Sequence, residues 1–145
     1  MGLFYAALAV VAGVMLPLQA AINARLARTV GGAVWAATVS GLVLTIVLAA
    51  IASAATRAGP RTSGLDALPW WAWTGGLCGA VVLSATTAIA PRLGTASMIA
   101  LVMTGQVLSS LVLDNFGLLG LPSEPLSLKR LAAAALLMGG AALMR

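Results

Sequence analysis

Met1–Ala24 reads MGLFYAALAVVAGVMLPLQAAINA, twenty-four residues without a formal charge. An α-helix of about 20 apolar residues crosses the hydrocarbon core of a bilayer, so this run is long enough to span. Its last third is less simple, because it carries Pro17, Gln19 and Asn23 among the aliphatic side chains. Their presence is a question that the rest of the chain has to answer.

Outward from this run, the charge-free stretches continue at Thr29–Thr56, Ala67–Pro91, Leu93–Leu113 and Leu131–Met144. The 145 residues are 61% hydrophobic and 8% charged, against a charged fraction of about a quarter in soluble domains. The spacing predicts an all-α integral membrane protein forming a single membrane domain over 1–145. Its five transmembrane helices are expected at about 3–24, 34–55, 69–90, 94–113 and 128–144. The fifth run is the shortest, and Leu128, Lys129, Arg130 and Arg145 lengthen it if the basic side chains snorkel toward the headgroups. Strands of a membrane barrel alternate apolar and polar residues over about ten positions, a pattern these runs lack.

Composition also excludes whole function classes. There is no histidine, Cys78 is the only cysteine, and Asp66, Asp114 and Glu124 are the only acids. That inventory supplies no structural zinc set and no Cys/His or Ser/His pair. No cofactor, no metal and no catalytic residue is therefore expected, and the chain is not read as an enzyme. The eight basic residues stand singly or in pairs at span ends, as headgroup anchors do, so no nucleic-acid partner is indicated. A secretory leader is not expected either, because no Lys or Arg precedes the first apolar run and Leu18 stands where a small residue should precede a cleavage after Ala20.

Five spans place the chain ends on opposite faces. The N-terminal face then carries Arg57, Arg61, Lys129 and Arg130, and the other carries Arg25, Arg28, Arg92 and Arg145. Orientation normally follows an excess of Lys and Arg on the cytoplasmic side, and four against four gives no such instruction. The tie points to dual topology, and hence to an antiparallel homodimer, the two-chain equivalent of an inverted repeat. Phe4, Tyr5, Trp35, Trp70, Trp71, Trp73 and Phe116 all fall at expected span ends, as an interfacial aromatic belt would.

Polar residues inside the spans are the candidates for function. Pro17 cannot donate a main-chain hydrogen bond and opposes the carbonyl of Gly13, so a helix bend is expected there. Gln19 and Asn23 follow one turn apart, and an amide turned to lipid would lack partners. For Gln19, interhelical glue and solute contact are both open; Asn23, nearer the interface, is read first as hydrated or capping. On the fourth helix, Gln106, Ser110 and Asp114 recur every four residues. The eight residues from Gln106 to Asp114 cover roughly 12 Å of helix, which puts Gln106 near the midplane if Asp114 marks the interface. Asp114 is read first as an ordinary interfacial acid and second as a candidate for ion coupling. Gly139 and Gly140 give the fifth helix a smooth side for dimer packing.

These motifs resemble a known family. The pattern G-x-x-x-P-x-Q-x-x-x-N-x-x-L at Gly13, Pro17, Gln19, Asn23 and Leu26 is similar to that of the small five-span, YdcZ-like branch of the drug/metabolite transporter superfamily, whose substrate is unknown. The likeness continues through Gly75–Ala80, Ala90–Gly94, Gly105–Gly117 and the K-R-L-x(7)-GG segment ending at Gly140. It implies a bacterial inner-membrane, multi-pass protein that is one half of a ten-helix transporter, working as an antiparallel pair or with a related partner chain. Related small multidrug-resistance exporters use a first-helix carboxylate, and this chain offers Gln19 and Asn23 instead, so their cation mechanism does not carry over.

The expectation is thus a secondary transporter of a small polar or amphiphilic organic solute. Its partners would be the bilayer, the solute and a second copy of itself. Gln19, Gln106, Asn23 and Ser110 would contact the solute. The competing expectation is a membrane assembly or accessory protein that transports nothing, in which the same amides serve only as glue.

Overall fold

The computed structural model describes residues 2–60, 63, 65, 68–120 and 122–144. Arg61 and Arg145, which entered the charge count above, and Asp66, one of the three acids, lie outside the described residues. Among those described, the structure is helical with no strand. It has α1 (Gly2–Val30), α2 (Ala33–Thr56), α3 (Gly75–Leu93), α4 (Thr95–Phe116) and α5 (Leu128–Leu143). Short 3-10 turns cover Trp70–Thr74 and Leu118–Gly120.

Among the described residues four helical stretches are long and apolar enough to cross a membrane: α1, α2, α3 with its preceding 3-10 turn, and α4. Only 6 to 11% of each span is buried inside the chain. Surfaces rich in exposed Leu, Val and Ile on this scale need hydrocarbon or another chain against them. The fifth helix forms, but its 16 residues measure about 24 Å, short of the roughly 30 Å hydrocarbon core.

Helix ends are set by local chemistry. α1 runs six residues past the expected end at 24, because Arg25 and Arg28 are good helix formers and nothing breaks the ladder before Gly31. There Gly31 and Gly32 take φ of 91° and 132°, and the Gly32 N–H bonds the Ala27 carbonyl at 2.8 Å. This is the Schellman closure that a glycine at positive φ allows. α4 likewise continues through Asp114, Asn115 and Phe116 to Gly117 at φ 58°. α5 begins at Ser127, whose hydroxyl accepts the Arg130 N–H at 3.3 Å, as expected of an N-cap.

The aromatic residues occupy helix ends and are exposed. Trp70 is 80% and Phe116 68% accessible, and Phe4 and Tyr5 meet edge to face at 5.6 Å.

The chain divides into two compact units, one of Met1–Pro17 with Arg92–Arg145, the other of Leu18–Pro91. α1 contributes to both and is helical through Pro17. In the first unit α4 packs against α5. In the second, the buried residues are small: Ala20 and Asn23 on α1, Ala36 and Ala37 on α2, Thr87 and Ala90 on α3.

Candidate functional site

Several threonine hydroxyls within the spans are satisfied by their own helix. Thr38, Thr45, Thr86, Thr87 and Thr104 each donate to the carbonyl four residues back, at 2.7 to 2.9 Å. A side chain bonded this way needs no external partner. The amides have no such local outlet, and their surroundings separate them.

Asn23 is 1% exposed. Its Oδ1 accepts the hydroxyl of Ser40 from α2, and its Nδ2 is buried without a partner among the described residues. The expectation of a hydrated or capping Asn23 is therefore corrected. α1 continues beyond it to Val30, and Ser40 of α2 bonds it, so it is a buried residue inside the helix and not a cap at its end. Ser40 was not singled out by sequence, since a lone serine in a charge-free run carries no signal of its partner.

Gln19, one turn earlier, is exposed, and so is Gln106 on α4 with Ser109 and Ser110. Among the described residues neither glutamine makes a hydrogen bond, although both are carried by helices long and apolar enough to cross a membrane. Gln19 and Gln106 belong to different units; Gln106, Ser110 and Asp114 share α4.

Asp114 and Arg130 bring α4 and α5 together at one end. One guanidinium nitrogen lies 3.3 Å from Asp114 Oδ2, and the other contacts Glu124 Oε2. The Asp114 carbonyl also accepts the Glu124 N–H at 2.8 Å, and Asn115 Oδ1 accepts the Leu126 N–H at 3.3 Å. These four contacts fasten the connection from α4 to α5.

Within the first unit an apolar groove of about 570 Å³ lies along α4 and α5. It runs from Thr95 and Ala96 to Met103 on α4 and is bordered by Leu136 and Gly140 of α5 and by Pro17. Of the sequence candidates it gathers Pro17 and Gly140. A Cβ added at Gly139 or Gly140 would meet nothing within 4 Å, so their flat side is not used among the described residues. Among the described residues no three His, Cys, Asp or Glu side chains gather as a metal site would require.

Residues 4–143 match the family model described as "Putative inner membrane exporter, YdcZ". Neither the comparison with curated proteins nor that with solved structures returned a match.

Proposed function

From the premise that the chain belongs to the YdcZ family and is a multi-pass inner-membrane protein, we propose that it is a secondary transporter of a small polar or amphiphilic organic solute. Two copies in opposite orientations make up a ten-helix assembly, and the solute sits where their first four helices meet. Gln19, Gln106 and Ser110 contact it, with Asn23 contributing from its buried position beside Ser40. Pro17 provides the bend in α1, and Gly139 and Gly140 pack the two copies together. Exchange between two symmetry-related states gives alternating access.

The observation that carries this reading is the outward exposure of Gln19 and Gln106, with no hydrogen bond among the described residues, on two helices long and apolar enough to cross a membrane. A lipid-facing amide forfeits its hydrogen bonds at a cost of roughly 1–3 kcal/mol on protein-derived scales. A partner chain enclosing a wet cavity removes that cost and supplies a place for solute. Asp114 has an oxygen engaged by Arg130, which favours a structural role over ion coupling.

The test is the accessibility of position 106. With Cys78→Ser removing the native thiol, Gln106→Cys is treated in membranes with a charged, membrane-impermeant maleimide. Labelling is expected, because an aqueous groove admits the reagent. A thiol that reacts only with a lipid-soluble maleimide would place Gln106 against hydrocarbon or protein, and the accessory-protein reading would replace this one.

A further inference from the structure

We propose that the Asn23–Ser40 contact is the latch of a gate: the hairpin of α1 and α2 opens about Gly31 and Gly32, and opening brings the Asn23 amide to the polar face that already carries Gln19. Asn23 is 1% exposed. Its Oδ1 accepts the Ser40 hydroxyl, while Nδ2 is buried without an acceptor among the described residues. Turning the amide over would only exchange an unpaired nitrogen for an unpaired oxygen. A buried polar group without a partner destabilises the conformation that buries it. The closed hairpin therefore carries a penalty that water or solute removes on opening.

Little else holds the hairpin shut. Asn23 lies eight residues before Gly31, and Ser40 eight residues after Gly32, so the latch sits about 12 Å along each helix from the turn. The two glycines take φ of 91° and 132°, and a Cβ at either would meet nothing within 4 Å, so no side chain wedges the turn at one angle. The other buried residues of α1 and α2 are Ala20, Ala36 and Ala37. No large apolar side chain of either helix is buried, so little apolar surface keeps the pair closed. Among the described residues the Asn23–Ser40 bond is the one side-chain hydrogen bond between these helices. Both residues, and the turn, belong to the Leu18–Pro91 unit. Gln19 is exposed one turn before Asn23, on the same face of the helix, so an opened α1 presents the two amides side by side. That the opened face receives solute rests on the transporter reading above; the opening itself does not.

The experiment measures the hairpin in the full chain, held in lipid nanodiscs. With Cys78→Ser removing the native thiol, spin labels are attached through Leu18→Cys and Ile46→Cys, two exposed positions farther from the turn than the latch. Labelled chains are diluted with unlabelled ones, so that double electron–electron resonance reports the distance within one chain. Two distances are expected in the parent, the longer belonging to the open hairpin. Ser40→Ala releases the latch and should raise the ratio of long to short about three-fold, the factor that an average polar contact between membrane helices is worth. Asn23→Leu with Ser40→Ala removes the latch and the unpaired amide together, and should leave the short distance alone. A single distance shared by the parent and Ser40→Ala overturns the proposal. So does a long distance that survives in the double variant, since the amide would then not be what opens the hairpin. If the double variant fails to fold, Ser40→Ala still decides. The labelling of position 106 tests the solute site separately, so a failure of the gate and a failure of the transporter reading are told apart.

Discussion

Arg130, in the first turn of α5, lies 3.3 Å from Asp114 near the end of α4, and the same guanidinium contacts Glu124 in the connection between them. The interaction closes a segment that neither helix could hold by propensity. Gly117 ends α4, Leu119 takes a left-handed φ of 60° within the short 3-10 turn, and the next α-helix starts after the Ser127 cap.

Both partners of that pair are 36% exposed at the side chain, so water screens much of the attraction. Arg130→Gln is expected to lower stability by no more than about 1 kcal/mol. Its larger effect should be local: amide exchange at Glu124 and Leu126 should speed up while the middle of α4 stays protected. Exchange mass spectrometry distinguishes this from a global loss, which would mean that the pair supports the whole unit.

The Asn23–Ser40 contact lends itself to a double-mutant cycle. Ser40→Ala leaves Oδ1 without its donor, and Asn23→Leu leaves the Ser40 hydroxyl without its acceptor, so each single change is expected to destabilise. Together they remove both polar groups and should be nearly neutral. The coupling energy expected is about 0.6 kcal/mol, the average for polar contacts between membrane helices. Additive effects of the two changes would show that the contact contributes nothing.

The number of helices and their approximate places were legible because charge-free runs of this length have few other uses. Their ends were not. Arg25 and Arg28 read as boundary markers, yet a basic residue in a last turn suits the helix dipole, and α1 stops only where Gly31 permits a positive φ. The polar candidates were visible as a set but not by environment. Gln19 and Asn23 share a helical face by spacing, and the difference between an exposed and a buried amide depends on where α2 crosses, which periodicity within one helix does not encode. The Arg130 bridge was hidden for the same reason: Asp114 and Arg130 were each read as interfacial, and their meeting is a property of the connection between their helices.

Gly31 offers a test of the hairpin between α1 and α2. A Cβ there meets no atom within 4 Å, so Gly31→Ala is penalised through the backbone alone, by about 1–2 kcal/mol for an L residue held at positive φ. Gly41→Ala is the control, since that position is helical and equally open, and it should be neutral or slightly stabilising. Equal melting temperatures for the two variants would show that the turn relaxes to another conformation.

The charge balance makes the final test. If orientation is undecided because four basic residues stand on each face, removing two from one face should decide it. Arg25→Gln with Arg28→Gln leaves the N-terminal face with the excess, and that face should become cytoplasmic. Reporters fused to the N-terminus should change from a mixed signal in the parent to a cytoplasmic one in the variant. A parent signal already confined to one side would remove the basis for an antiparallel homodimer. The same variant, with its orientation fixed, tests α5, whose 16 residues fall short of the usual span. N- and C-terminal reporters on opposite faces require α5 to cross with Lys129 and Arg130 snorkelling. Reporters on the same face would mean that α5 does not cross, so that the membrane domain has four spans.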